Sequence, residues 1–229
     1  MTERGARQVA EMGRKRFVVV DYGMGNLRSV LNAFSALRAN AVVSHQKEEI
    51  EGADAYILPG VGAFGEAMRA LHALNLINVL SEQVLRRRKP LLGICLGMQL
   101  IAQDAEEMGC HDGLGWIPGH VKRLEPGADF RVLHIGWNDV AIAKKDPMFL
   151  NLQEDRNFYF VHSYHVVCDD ASVAATCQYG ATAIVAALQN GNIFATQFHP
   201  EKSQANGLRL LRNYIEFVER YVPYEGRNA

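Results

Sequence analysis

The run Pro90-Leu91-Leu92-Gly93-Ile94-Cys95-Leu96-Gly97-Met98-Gln99 constrains the fold more than any other stretch of the chain. An apolar strand runs directly into a Gly-x-Cys-x-Gly turn, and an amphipathic helical run is expected to follow. Glycines two before and two after Cys95 give room to a side chain lifted out of a sheet. This is the layout of a nucleophile elbow, and the N–H groups and dipole at the start of the helix favour a thiolate there. An isolated cysteine is more often a buried packing residue. The flanking glycines make the nucleophile the stronger reading of Cys95.

The residues before the elbow alternate strand and helix. Residues 17–21 form a short continuous apolar run, as for a strand buried on both faces. A tight loop follows at 22–26, and then Leu27, Val30, Leu31, Phe34 and Leu37 share one helical face. Strands are predicted at 41–44 and 55–58, the second stopped by Pro59-Gly60-Val61-Gly62, and residues 64–88 read as largely helical. From about Gly113 short strands and turns take over, at 120–124, 131–135, 157–161, 173–177 and 183–188. Asn190-Gly191 marks a hairpin turn into 193–198. A last helix is predicted over 207–221, with Leu208, Leu211, Ile215 and Val218 inward. The fold class expected is α/β: three layers around a mostly parallel central sheet with an antiparallel extension. A single domain spans 17–221, with a basic N-terminal extension (1–16) and a C-terminal tail (222–229).

Composition narrows the function classes. The 229 residues suffice for one well-buried α/β domain. A net charge of -1 gives no general pull toward nucleic acid or anionic membrane. No apolar run approaches the about 18 residues of a membrane span. The first 16 residues carry five basic and two acidic side chains but no apolar core, so they do not read as a secretory signal. Four cysteines suggest no disulfide framework, and a reducing, cytoplasmic location would keep Cys95 a free thiol.

The second half of the site is read from Gln197-Phe198-His199-Pro200-Glu201. Pro200 pushes His199 toward extended geometry, in which residues two apart point the same way. His199 and Glu201 then supply the base and its orienter for a thiol nucleophile, the set used in acyl transfer. An imidazolium beside Cys95 would favour the thiolate. The oxyanion donors expected are the N–H of Leu96, next after the nucleophile, and one from the Pro59–Gly62 loop. That loop has neither the Lys-Ser/Thr of a P-loop nor a dinucleotide fingerprint. His162 and His165 are spaced i,i+3, but Val161–His165 reads as a polar loop beside the site rather than a metal site, and no cofactor or metal is expected.

Gly-Ile-Cys95-Leu-Gly-Met-Gln99 together with Phe-His199-Pro-Glu201 resembles the class I (triad) glutamine amidotransferases. Asp21-Tyr-Gly-Met-Gly-Asn-Leu27, Pro59-Gly-Val-Gly-Ala-Phe64, Gly136-Trp-Asn138, Tyr159-Phe-Val-His-Ser-Tyr164 and His199-Pro-Glu-Lys-Ser203 are similar to the glutaminase subunits of imidazole glycerol phosphate synthases, over about residues 17–221. The resemblance implies hydrolysis of glutamine to glutamate and ammonia through a Cys95 thioester, with His199 as base and then acid and Glu201 as orienter. It implies that Gly62, Gln99, Ser163 and Tyr164 hold glutamine, that Val61 and Leu96 serve the oxyanion, and that a separate (β/α)8 cyclase receives the ammonia. Asn26, Trp137, Asn138 and Lys202 would face that cyclase in a heterodimer. From the residues alone these four read as a capping or turn asparagine (Asn26, Asn138), a core tryptophan and a solvated lysine. The resemblance also makes the Val61 peptide a control point, its N–H turned from the oxyanion position without the partner. Alternatives are a stand-alone γ-glutamyl hydrolase, a paralogous glutaminase serving another amidating synthase, and a silent scaffold.

Overall fold

The structure is a computed structural model that describes residues 15–152, 154 and 156–222. Most of the expected N-terminal extension and C-terminal tail therefore lies outside the described residues. Four strands come first: β1 (Arg16–Val20), β2 (Asn40–Ser44), β3 (Ala55–Gly60) and β4 (Leu91–Cys95). Between and after them lie α1 (Leu27–Ala36), α2 (Lys47–Glu51), α3 (Phe64–Ala73), α4 (Leu76–Ser81) and α5 (Leu96–Leu100). Then come β5 (Asp104–Ala105), β6 (His111–Asp112), β7 (Gly119–Arg123), β8 (His134–Asp139), β9 (Ala141–Ile142), β10 (Asn157–His162) and β11 (Tyr164–Cys168). The chain closes with β12 (Val173–Tyr179), β13 (Thr182–Asn190), β14 (Ile193–Thr196) and α6 (Gln204–Arg220).

The central sheet has eight strands in the order β2-β1-β3-β4-β14-β13-β12-β9. The first five are parallel to their neighbours and the last three pair antiparallel. Strand residues alternate between two apolar layers. Val18, Val20, Tyr56, Leu58 and Leu91 face one, with α3 and α4; Phe17, Val19, Ile57, Leu92 and Ile94 face the other, with α1 and α6. Both faces are covered, so these strands read as continuous apolar runs rather than alternating ones. Smaller sheets, β10-β8 and β11-β7-β5-β6, stand beside the main one.

Several expectations are corrected. Arg16 already belongs to β1, and Lys15 is tied to Asp54 at 3.2 Å. The helical stretch from Phe64 breaks at Asn75, whose φ of 54° is left-handed, and ends in a π-helical turn at Glu82–Arg86. The strand expected at 131–135 is displaced to β8, and β14 stops at Thr196. The hairpin loop is Gly191-Asn192, one residue later than read, with Gly191 at φ 59°. Asn192 anchors it by donating to the carbonyls of Val84 and Lys89. In α6 Leu208 is exposed; the inward face is Leu210, Leu211, Tyr214, Ile215 and Val218. The helix after Cys95 has five residues, all buried, so it is not amphipathic. Val161–His165 is not a loop: it ends β10 and begins β11, and His162 and His165 are buried.

Candidate active site

Neighbouring parallel strands deliver the site from their carboxyl ends, where open α/β sheets bind ligands. β4 ends at Cys95, β3 runs out into Val61-Gly62, and β14 leads to His199. Cys95 has φ 55° and ψ −109°, a backbone state that costs a non-glycine residue free energy and marks the elbow. The elbow glycines are packed backbone to backbone. A methyl group on Gly97 would lie 1.7 Å from the Leu58 carbonyl oxygen, and one on Gly93 would lie 2.9 Å from the Gly97 carbonyl oxygen. Gly62 has φ 105°, and a side chain there would meet Met24 at 2.8 Å.

His199 has the extended backbone that Pro200 favours, but Glu201 follows in a 3-10 turn, Pro200–Lys202, not in extended chain. The turn still brings the two side chains together: Nδ1 donates to Glu201 Oε1 at 2.8 Å, with the side chains 2% and 1% exposed. Nε2 is left buried without a hydrogen-bond partner. Burial opposes a charged imidazole, yet the contacts with Cys95 and Glu201 outweigh it and raise the His199 pKa to about 9. The imidazole of His199 is held from behind. His199 N–H donates to the Tyr159 carbonyl, Ser203 Oγ donates to the His199 carbonyl at 2.6 Å, and Tyr159 N–H donates to Ser203 Oγ.

A cleft of about 280 Å³ opens over the thiol, lined by Val61, Gly62, Leu96, Gln99, Ser163 and Tyr164 with Cys95. Glu107, Val161 and His162 complete the lining and were not singled out from sequence as site residues. Glu107 also accepts from Phe64 N–H at 2.7 Å, at the start of α3. No residue pattern around Glu107 announces it, because the fold alone brings it to the cleft. Gln99 Nε2 donates to the Tyr164 carbonyl at 2.8 Å and to Gln197 Oε1 at 3.1 Å, while Gln197 Nε2 lies 3.8 Å from Cys95 Sγ. Gln197 is fully buried and was also missed, although it sits two residues before His199.

The four residues tied by resemblance to a partner do not form one group. Trp137 is no core residue: it is 46% exposed on β8 and meets the Tyr159 ring edge-on, with Lys202 Nζ 5.9 Å from that ring. Asn138 points to the opposite, inner side of the β8-β10 ribbon, toward His134 and the Gln178 carbonyl. Asn26 is exposed and caps α1, its Oδ1 accepting from Ser29 N–H. No helix among the described residues is long and apolar enough to cross a membrane.

The glutamine amidotransferase class-I family profile matches residues 18–217. The imidazole glycerol phosphate synthase subunit HisH 2 of Vibrio vulnificus is 47% identical over 205 residues, covering 89% of this chain and 95% of that protein. The subunit HisH of Geobacter sulfurreducens is 45% identical over 207 residues, covering 88% and 98%. Among solved structures, PurLQS from Thermotoga maritima superimposes with TM-score 0.68 at 20% identity, covering 89% of this chain and 99% of that one, a likeness of fold.

Proposed function

The chain belongs to the class-I glutamine amidotransferase family, and we propose that it acts as the glutaminase subunit of an imidazole glycerol phosphate synthase. The observation that carries this is the elbow thiol, whose contact with a buried imidazole helps to raise the pKa of that imidazole, while a buried carboxylate orients the ring. Cys95 Sγ attacks the side-chain carbonyl carbon of glutamine. The tetrahedral oxyanion takes hydrogen bonds from the N–H groups of Leu96 and Val61. The carbon–nitrogen bond then breaks as His199 Nε2 gives its proton to the nitrogen, leaving ammonia and a γ-glutamyl thioester. Water, deprotonated by the now neutral His199, attacks the thioester and releases glutamate and the thiolate.

The cleft lining suits this substrate. Because the Tyr164 carbonyl can only accept, the Gln99 amide must turn Nε2 to it, and this leaves Oε1 as an acceptor for substrate N–H groups. Glu107 adds a carboxylate for the α-ammonium group. Gly62, Ser163 and Tyr164 line the walls. No bound group is needed for this chemistry.

Ammonia passes to a (β/α)8 cyclase subunit in the cytoplasm. The cyclase docks on the outer side of the β8-β10 ribbon, where Ile135 (58% exposed) and Trp137 stand across from Val161 and Tyr159. Val61, 42% exposed, adds an apolar side chain at the cleft rim. The glycines around it leave the Val61 peptide free to reorient when the cyclase seats, which ties turnover to the partner. Glutamate release is measured with and without the cyclase and its substrate analogue. Stimulation of about 10²-fold or more is expected, the worth of one oxyanion donor. Equal rates would favour a stand-alone γ-glutamyl hydrolase. Stimulation by a different amidating synthase alone would favour a paralogous role.

A further inference from the structure

Behind the docking ribbon lies a pair of buried histidines that the reaction does not use. His134 and His162 face each other across β8 and β10, with Nδ1 of His134 2.9 Å from Nε2 of His162. His162 Nδ1 is 2.9 Å from the Tyr164 carbonyl oxygen, and His134 Nε2 is 3.2 Å from Asn138 Nδ2. The His134 ring is clamped between the rings of Phe160 and Tyr179, with centroids at 4.8 and 4.1 Å.

Backbone groups force the direction of every bond in this chain. The Tyr164 carbonyl can only accept, so His162 carries its proton on Nδ1 and its Nε2 must accept. His134 therefore carries its proton on Nδ1 as well, and its Nε2 accepts from Asn138. The Asn138 amide is fixed in turn, because its Nδ2 donates to the Gln178 carbonyl and its Oδ1 accepts from Asp139 N–H. A further proton on either ring would set N–H against N–H, or against the Asn138 amide. Burial holds both rings neutral, pushing His134 down to about 4 and His162 to about 3, with the neighbouring His134, His165 and His199 adding to the effect at His162.

The chain continues into the cleft. The same Tyr164 carbonyl accepts from Gln99, Gln99 donates to Gln197, and Gln197 Nε2 reaches the Cys95 sulfur. We propose that His134 and His162 are positioning residues for the glutaminase site, a single-tautomer relay that aims the Tyr164 carbonyl and so fixes the Gln99 amide that receives the substrate. This rests on the reading of the cleft as the glutamine site. Neither ring touches the reacting atoms; each acts through Tyr164 and Gln99. The alternative is that the two rings only fill space under the ribbon.

Two variants of the holo-complex with the cyclase separate these roles. His134→Phe keeps a ring in the stack but removes the donor to His162. His134→Asn keeps an N–H near the Nδ1 position while giving up most of the ring. A relay predicts that His134→Phe raises the glutamine KM about tenfold, the worth of one misaimed hydrogen bond, with kcat within about threefold, and that His134→Asn restores KM. Space filling predicts the reverse order, with His134→Asn the more damaged and KM following loss of folded protein; that result would overturn the proposal. Nitrogen-15 NMR of the wild-type imidazoles gives a test independent of turnover. Both rings are expected neutral with the proton on Nδ1 from about pH 6 to 8. A proton on Nε2 of either ring would overturn the relay even if glutamine hydrolysis stands. Both Nδ1 tautomers in a protein that does not hydrolyse glutamine would sustain the relay's geometry and overturn the functional reading.

Discussion

Cys95 and His199, the nucleophile and base of the proposed mechanism, are held by opposite means. Cys95 is placed mainly by backbone: a positive φ, two glycines closely packed against main-chain carbonyls, and a parallel strand on each side of β4. His199 is placed by polar groups: a carboxylate on Nδ1, the Tyr159 carbonyl on its N–H and the Ser203 hydroxyl on its carbonyl. The contrast fits the work of each group. A nucleophile needs a fixed position, which steric exclusion provides. A base that gains and loses a proton needs partners whose charge and hydrogen bonds set its affinity for that proton.

The contrast is open to test, beginning with the largest effect. Cys95→Ser is expected to lower glutamate release by about 10⁴-fold or more while partner binding and thermal unfolding stay near wild type, since the elbow does not depend on the sulfur. Retained turnover would remove Cys95 from the mechanism. Gly97→Ala attacks the same side through the backbone. With a methyl 1.7 Å from a carbonyl oxygen, it is expected to destabilise by about 3 kcal/mol or more, or to yield no folded protein, as read by urea unfolding.

On the base side, Glu201→Gln is expected to fold and to lose activity by about 10²- to 10⁴-fold. Because Glu201 helps to raise the His199 pKa to about 9, the alkaline limb of the kcat profile is also expected to move to lower pH. An unmoved limb would show that Glu201 does not set the charge of the base.

The smallest effect concerns the buried pair of neutral histidines. Both folded pKa values lie below the ordinary 6.5, so the unfolded chain takes up protons that the folded one refuses. Their contribution to stability is present above about pH 6.5 and is lost as pH falls toward 4 and then 3. Urea unfolding is expected to show a loss on the order of 2 kcal/mol between about pH 6.5 and 5, and His134→Phe should flatten that slope.

The same division decided how much was legible in the sequence. Strands of the parallel half are buried on both faces, so 17–20, 55–58 and 91–94 stand out as continuous apolar runs, each ending at a glycine-bearing turn. Cys95 could be read because backbone constraint leaves glycines in the chain. The ribbon and the small sheet beside it were harder to read. β8 and β10 are covered on one side only and put histidine and asparagine inward, and β11 begins Tyr-His, so Val161–His165 looked like a loop. Trp137 looked like a core residue because an indole is mostly apolar; only the register shows it facing out. Glu107 and His134 were out of reach because their partners lie across the fold, while Gln197 lay within a motif already read for its histidine.

The packing of Gly97 on the Leu58 carbonyl, and of Gly93 on the Gly97 carbonyl, has a consequence for how such a site can be altered. The height of the sulfur above the sheet is set chiefly by main-chain atoms: the two nearest neighbours of a methyl group on Gly93 or on Gly97 are backbone atoms, with the Leu58 side chain farther off at 3.5 Å from Gly97. The thiol is therefore a fixed datum. Adaptation toward another acyl donor or another partner must come from the walls measured against it: Val61-Gly62, Glu107, Ser163-Tyr164 and the turn after His199. A directed-evolution library is best spent on those walls, because at Gly93 and Gly97 almost every member would be lost to misfolding before it could be tested for turnover.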